Sequence, residues 1–179
     1  MKQELEKIFE LEEENKFVEV YELYQNLYSE NKLEYEVWKN FYFFLWTAIE
    51  DAPNEFQEKI EIRKLMQKIY DEGKSKFSEL ADFNFIAGYT VSISPYEYGN
   101  YDDLEIEAHK MLKKATDLEP ENIIYKLVYT GSITNAYKQT YRNLEIESSP
   151  IVLKKFSGKG TLNKYFKHVL NRIDKKAYR

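Results

Sequence analysis

Apolar residues recur at helical spacing along most of the chain, and short polar breaks divide them into segments. Leu5, Ile8 and Phe9 define one face of a predicted helix over residues 3–14. The same spacing predicts further helices over residues 17–28, 33–49, 55–72, 83–93 and 103–117, and another after residue 122. Only 6 glycines and 4 prolines interrupt the 179 residues. Because these two residue types are the main helix breakers, the pattern predicts an all-α fold.

Several predicted helix ends carry residues suited to capping. Gly73 follows the fourth predicted helix, where glycine takes the left-handed conformation of a C-terminal cap without strain. Ser78 or Asp82 is predicted to cap the start of the following helix. Asp102 or Asp103 is predicted to cap the helix after that.

The C-terminal part of the chain has a less regular pattern. Residues 144–150 end in a proline and are predicted to form a turn or linker, followed by a short helical piece over residues 151–156. A loop over residues 157–160 then leads to a basic last helix over residues 161–176, with Thr161 as its predicted cap. Such a terminal helix would close the end of a helical stack.

The segment over residues 33–49 is apolar on nearly every face. It includes Trp38 and the run from Phe41 to Trp46, in which every residue is aromatic or leucine. A helix that is apolar all round is normally buried. This segment is therefore predicted to lie at the centre of the fold.

Residues 107–129 have the best-defined repeat-like pattern. Ala108, Leu112 and Ala115 place small, large and small apolar residues at helical spacing, and Pro120 ends the helix. This pattern resembles the second helix of the tetratricopeptide (TPR) repeat. The resemblance extends over residues 84–131.

A second stretch, residues 15–46, resembles the same family. Val20, Tyr24 and Leu27 take the positions of the small, large and small residues, with bulkier side chains. Trp38 follows where the pattern places the tryptophan of the next repeat.

The TPR resemblance implies a single domain over residues 1–179. It would consist of αα-hairpins stacked into a right-handed superhelix of about seven to eight helices, closed by a C-terminal capping helix. The hairpins would cover, in order, residues 3–30, 33–73, 78–117 and 120–142, followed by the basic helix over residues 161–176.

An insertion over residues 94–103 interrupts the repeat pattern. It contains Tyr96, Tyr98 and Tyr101 and ends in Asp102 and Asp103. Loops held on a rigid scaffold commonly carry recognition residues. We therefore expect these five residues to contact a partner.

Further candidates would line the concave groove of a TPR-like superhelix. Tyr42, Trp46 and Glu50 share one stripe of the third predicted helix, Asp51 follows them, and Tyr89 lies on the fifth. Tyrosine and tryptophan often provide much of the binding energy at interfaces. The alternative interpretation is that each ring packs between helices.

Charge is distributed unevenly along the chain, whose net charge is −5. Residues 1–36 contain 4 lysines and 11 glutamates, whereas residues 150–179 contain 9 lysines or arginines and a single acid, Asp174. In an elongated stack these runs would lie at opposite ends and could steer a charged partner.

The sequence offers little for catalysis or metal binding. There is no cysteine, and the two histidines, His109 and His168, lie on different predicted helices, whereas zinc needs three or four ligands. Glu50 and Asp51 are the best acid–base candidates, although a solvated helix end is the simpler interpretation. Residues 157–161 lack the earlier glycine and the strand of a phosphate-binding loop. We expect no catalytic residue, metal or cofactor, and no enzymatic activity.

The same sequence disfavours a membrane protein. No run of about 18 apolar residues is present, and the charged N-terminus lacks the apolar core of a secretory signal. We therefore expect a cytoplasmic protein.

A non-catalytic protein-binding function fits these features best. Residues 88–101 and 113–122 resemble helical bacterial immunity proteins, which implies as partner a cognate toxin domain, often a basic nuclease. One alternative is a TPR-type scaffold or chaperone adaptor that binds a peptide in its groove. Another is RNA or DNA binding by the basic C-terminal helix, which the negative net charge disfavours.

Overall fold

The computed structural model describes residues 1–133 and 137–172, and within them the chain is all-helical, which confirms the predicted all-α class. These ranges contain ten α-helices, whereas about seven to eight were predicted. The α-helices of these ranges are α1 Lys2–Glu13, α2 Phe17–Glu30, α3 Tyr35–Asp51, α4 Asn54–Lys59, α5 Ile62–Phe77, α6 Ala81–Ile93, α7 Tyr101–Leu118, α8 Ile123–Gly131, α9 Lys138–Lys155 and α10 Thr161–Leu170. A 3₁₀ turn, Pro95–Glu97, lies between α6 and α7. None of the described helices has the length and apolar character needed to cross a bilayer.

Helix α3 forms the centre of the fold, as its apolar pattern predicts. Every residue from 37 to 49 is buried except Lys39, which is half-buried. The helix packs against α2, α5, α6 and α10. The indole Nε1 of Trp38 donates a hydrogen bond to the backbone oxygen of Ile69 on α5, at 2.8 Å. The polar atom of the largest core side chain is thus satisfied inside the core.

The helix predicted over residues 55–72 is in fact two helices. Helix α4 ends at Lys59 and α5 begins at Ile62, because the backbone of Glu61 has a φ of +48°. This left-handed conformation is uncommon for residues other than glycine. Neither a glycine nor a proline lies at the break, and apolar residues continue at helical spacing across it. The sequence pattern therefore does not indicate two helices.

Gly73 has a packing function and not the predicted capping function. It is buried inside α5, four residues before the helix ends at Phe77. A Cβ atom at this position would lie 2.2 Å from Cε2 of Trp38. The glycine allows α5 to approach the indole ring of α3.

Asparagine side chains cap α7 and α8. Asn100 Oδ1 accepts a hydrogen bond from the backbone N–H of Asp103 at 3.2 Å, and Asn122 Oδ1 accepts one from Ile124 at 3.2 Å. The prediction that Asp102 or Asp103 is the cap is therefore wrong. Both aspartates lie in the first turn of α7, where their negative charge interacts favourably with the positive end of the helix dipole.

Helix α6 begins without a side-chain cap, contrary to prediction. Leu80 occupies the capping position, and neither Ser78 nor Asp82 caps the helix. The backbone oxygen of Ser78 instead accepts a hydrogen bond from Nδ2 of Asn84 at 2.7 Å.

The prediction of a turn or linker over residues 144–150 is also wrong, because α9 continues through these residues. Pro150 lies inside this helix. Ser148, Ser149 and Val152 are buried where α9 packs against α8 and α10, and Ser149 Oγ donates to Oδ1 of Asn171 at 2.6 Å. Tertiary packing thus outweighs the loss of one backbone hydrogen bond at the proline.

Helix α10 is capped by a side chain from the other end of the chain. Thr161 is its first residue and not its cap, and the Thr161 N–H donates to Oε2 of Glu12 on α1 at 2.7 Å. Oε1 of Glu12 accepts a hydrogen bond from the hydroxyl of Tyr24 on α2 at 2.9 Å. The helix ends at Leu170, and residues 173–176 of the predicted basic helix lie outside the described residues.

The acidic N-terminal helix and the basic C-terminal helix are in contact, whereas the charge pattern predicted them at opposite ends. Lys159 Nζ lies 3.0 Å from Oε1 of Glu10, and Lys164 Nζ lies 3.2 Å from Oε1 of Glu13. Part of the charge asymmetry therefore joins α1 to the α10 region.

Tyrosine hydroxyls form a recurring contact between helices. Within the described ranges, five of them donate to carboxylates on other helices, at distances between 2.6 and 3.1 Å: Tyr24 to Glu12, Tyr28 to Glu72, Tyr35 and Tyr125 to Asp82, and Tyr70 to Glu107. These five of the 16 tyrosines thus have a structural role.

Candidate protein-binding surface

The connection between α6 and α7 is fixed to α5 at its base. The side chain of Glu97 is buried, and its Oε2 accepts a hydrogen bond from Nε of Arg63 at 2.8 Å. The backbone oxygen of Glu97 accepts a second one from Nε2 of Gln67 at 2.6 Å. Pro95 is buried as well. These contacts hold the 3₁₀ turn in a defined position.

A chain of hydroxyl groups fixes the middle of the same loop. The hydroxyl of Tyr98 lies 2.6 Å from that of Tyr42 on α3, which in turn lies 2.5 Å from Oγ1 of Thr90 on α6. The ring of Tyr98 meets that of Tyr70 edge-on, with centroids 5.2 Å apart. Burial raises the pKa of Tyr42, so its hydroxyl stays neutral.

The outer side of the fixed loop presents aromatic and acidic side chains to solvent. Tyr96 is 61% exposed and Tyr101 is 54% exposed. Asp102 and Asp103 follow Tyr101 at the start of α7 and are exposed as well. This side therefore combines large apolar rings with negative charge.

Two isoleucines extend the exposed apolar area. Ile106 on α7 is 56% exposed, and Ile93 at the end of α6 is 52% exposed. A groove of about 780 Å³ on one side of α7 is lined by both. A second groove, of about 540 Å³, is lined by Ile106 and Asp103. We call Tyr96, Tyr101, Asp102, Asp103, Ile106 and Ile93 the α6–α7 surface.

The predicted stripe on α3 does not form a surface. Tyr42 is fully buried, and Trp46 is almost so, since its ring packs on Tyr89 of α6 and Tyr165 of α10, with centroids 6.4 and 5.3 Å away. Tyr89 is half-buried. These residues support the fold around the loop.

Glu50 and Asp51 are exposed at the C-terminal end of α3. Asp51 borders a cavity of about 390 Å³ that is also lined by Glu12 and Lys164. No hydrogen bond or ion pair joins either acid to the loop in the described parts of the chain. The predicted set thus divides into an exposed loop group, a buried group and this separate acidic end.

Ile93 and Ile106 are not among the partner-binding residues predicted from the sequence. The buried face of α7 consists of Ala108, Met111, Leu112 and Ala115. Ile106 lies off this face, and an isoleucine outside the apolar stripe of an amphipathic helix is a signal that was available in the sequence.

A second polar cluster surrounds Asp82, but its geometry indicates a structural role. Tyr35 and Lys39 of α3 contact its Oδ2 at 3.1 and 3.4 Å, and Tyr125 of α8 and Lys155 of α9 contact its Oδ1 at 3.0 and 3.5 Å. Burial alone would raise the pKa of Asp82, but the two lysines and two hydroxyls outweigh it and lower the pKa. The ionised carboxylate joins four helices.

In residues 1–133 and 137–172, no group of three or more His, Cys, Asp or Glu side chains is placed to hold a metal ion. Comparison of the chain with protein-family models, curated proteins and solved structures gives no match.

Proposed function

We propose that this chain is a non-catalytic protein-binding protein whose α6–α7 surface contacts the partner. The observation that carries the proposal is the contrast within one short loop. Glu97 and Tyr98 are held by α3 and α5, whereas Tyr96 and Tyr101 lie in solvent. Aromatic rings on a fixed backbone lose little conformational entropy on binding and often become interface hot spots.

The partner that suits this surface carries positive charge. Asp102, Asp103 and Glu105 are exposed around Tyr101, and the whole chain has a net charge of −5. Complementary charge accelerates association and excludes acidic competitors. Within this class we propose an immunity-type protein that covers the active site of a basic toxin domain in the cytoplasm of a bacterium.

The proposal includes a TPR-like arrangement for the helices that carry the surface. Gly88 of α6 supports it, since a Cβ there would lie 3.0 Å from Cβ of Met111 on α7, and such close contact is what small residues in a TPR hairpin permit. Ala108 and Ala115 are buried in the same hairpin.

The two alternative functions have less structural support. A peptide in a concave groove would contact Tyr42 and Trp46, which are buried beneath neighbouring helices. Nucleic-acid binding would use the basic residues around α10, two of which, Lys159 and Lys164, already pair with glutamates of α1.

A toxin-protection assay tests the proposal. The protein is expressed with the product of the open reading frame that precedes its gene, which this proposal expects to encode the toxin domain, and complex formation is measured with the purified pair. We expect protection, and we expect the Tyr96→Ser/Tyr101→Ser variant to bind about tenfold or more weakly because two hot-spot rings are removed.

Tyr137→Ser is the matched control, because Tyr137 is 84% exposed but lies outside the α6–α7 surface. It should bind like the wild type. Absence of protection by the wild type would reject the immunity function. Unchanged binding by the double variant would show that the partner contacts another surface.

A further inference from the structure

The larger groove beside α7 has an apolar floor. It has a volume of about 780 Å³ and is lined by residues of α6, α7, α8 and α9 and by residues at the end of α10. Leu112, Leu127 and Leu170 are buried along it. Sites for small organic ligands typically have volumes of about 300–1,000 Å³ and mainly apolar walls with a few polar groups.

A cluster of hydrogen-bond donors lines the same groove. Arg172 Nε donates to the backbone oxygen of Val169 at 2.8 Å, which holds the side chain against the end of α10. Burial raises the pKa of both Tyr89 and Tyr141, and the positive charge of Arg172 partly opposes this in each. Arg172 and both tyrosines line this one groove.

The hydroxyl of Tyr141 is available to a ligand. It has no hydrogen-bond partner among the described residues, whereas that of Tyr89 lies 3.2 Å from the hydroxyl of Tyr165. Arg172 is exposed, so its terminal nitrogens can be reached from solvent. A guanidinium beside a free phenol can bind both oxygens of a carboxylate with charge-assisted hydrogen bonds.

The charges that line the groove favour an anion over a cation. Lys110 and Arg172 contribute positive charge, and Glu105 is the single carboxylate among the described residues that line it. This balance differs from that of the whole chain, which is acidic.

We propose that the groove binds a small carboxylate with an apolar tail, with the carboxylate at Arg172 and Tyr141 and the tail over Leu127 and Leu170. The donors Arg172 and Tyr141 would bind the carboxylate of the ligand, and the leucine floor would contact its apolar tail. Ile93 and Ile106 of the α6–α7 surface also line this groove, but the carboxylate-binding residues Arg172 and Tyr141 lie outside that surface. This inference therefore does not depend on the proposed partner-binding function.

Calorimetric titration of the full chain with three probes of equal length tests this inference. The probes are octanoate, octanol and octylammonium, used below their micellar concentrations. We expect saturable binding of octanoate, about tenfold or more tighter than that of octanol, because the carboxylate adds a charge-assisted contact. Octylammonium should bind more weakly than octanol.

Two variants and one control locate the site. Arg172→Gln and Tyr141→Phe should each weaken octanoate binding several-fold and leave octanol binding unchanged. Lys167→Gln on the exposed side of α10 removes the same charge as Arg172→Gln and should change nothing. Equal affinity for octanoate and octanol, no saturable octanoate binding, or wild-type affinity in both variants would overturn the proposal.

Discussion

Tyrosine residues of this chain occupy two different environments. Tyr28 and Tyr70 lie between helices, and their hydroxyls donate to Glu72 and Glu107. Hydrogen bonds to charged acceptors contribute about 1.5–3 kcal/mol each. Tyr96 carries the same side chain but lies in solvent. The surrounding helices, and not the residue type, therefore decide whether a tyrosine stabilises the fold or remains free for a partner.

Gly73 provides the first prediction, at the scale of one residue. Replacement of a helical glycine by alanine usually stabilises a helix by about 1 kcal/mol. Here the added methyl group would overlap the Trp38 ring, which is fixed by its hydrogen bond to Ile69. We expect Gly73→Ala to lower the free energy of unfolding by about 1–3 kcal/mol, because overpacking outweighs propensity. Urea denaturation measures the change.

Ser75→Ala is the control for this prediction, since Ser75 is exposed on the same helix. It should change the free energy of unfolding by no more than about 0.5 kcal/mol. If Gly73→Ala is as stable as the wild type, the close contact between α5 and Trp38 is absent.

The break between α4 and α5 provides a prediction at the scale of the element. Glu61 has a φ of +48°, which glycine adopts without steric cost. We expect Glu61→Gly to raise the free energy of unfolding by up to about 1 kcal/mol. The change also removes the exposed Glu61–Lys64 ion pair, which contributes a few tenths of a kcal/mol.

The same substitution three residues earlier should have the opposite sign. Glu58 is exposed inside α4, so Glu58→Gly should lower the free energy of unfolding by about 0.5–1 kcal/mol. Chemical denaturation of both variants gives the comparison. If both variants lose stability equally, Glu61 does not end one helix and start the next.

Several of the helices that the sequence predicted well have a strong apolar pattern. Helices α1, α2, α3 and α7 lie within a few residues of their predicted ranges because one face of each is apolar or, in α3, all faces are. The break at Glu61 and the continuation through Pro150 were not predictable in this way. The helix continues through Pro150 where α9 packs against α8 and α10, and neither glycine nor proline marks the left-handed residue Glu61.

The candidate surface was predictable to a similar extent. The irregular composition of residues 94–103 indicated a loop with exposed tyrosines, and Tyr96 and Tyr101 are exposed. Nothing in the sequence distinguishes them from Tyr98, which lies in the same loop. Tyr98 is held inward by the hydroxyl of Tyr42, 56 residues earlier in the chain. Which of the neighbouring tyrosines are exposed can therefore be determined only from the tertiary structure.

At the scale of the whole molecule, two carboxylates connect distant parts of the chain. Glu12 joins α1 to α2 and to the start of α10, and Asp82 joins α6 to α3, α8 and α9. Burial raises the pKa of Glu12, although Thr161, Tyr24 and Lys164 partly oppose this. For Asp82 the neighbouring lysines and hydroxyls outweigh burial, and its pKa is lowered.

Because folding raises the pKa of Glu12 and lowers that of Asp82, the two groups make the stability of the fold depend on pH in opposite ways. A group whose pKa is raised on folding stabilises the fold below its unfolded pKa, about 4.3 for glutamate, and loses this contribution as the pH rises through the raised value. A group whose pKa is lowered stabilises the fold above its unfolded pKa, about 3.9 for aspartate, and loses this contribution as the pH falls. Glu12 thus favours the folded state in acid and Asp82 favours it near neutrality.

Glu12→Gln and Asp82→Asn separate the two effects, and each serves as the control for the other. Measured by urea denaturation from pH 3 to 7, the stability of Glu12→Gln relative to the wild type should improve as the pH rises, because the cost of a buried charge is removed. Asp82→Asn should lose about 1–3 kcal/mol at pH 7, because two lysines and two hydroxyls lose their charged acceptor, and this loss should shrink toward pH 3. Parallel pH profiles for the two variants would contradict these assignments. Opposite slopes would show that burial destabilises the ionised form of Glu12, which joins α1 to α10. They would also show that neighbouring lysines and hydroxyls stabilise the ionised form of Asp82, which joins α6 to three other helices.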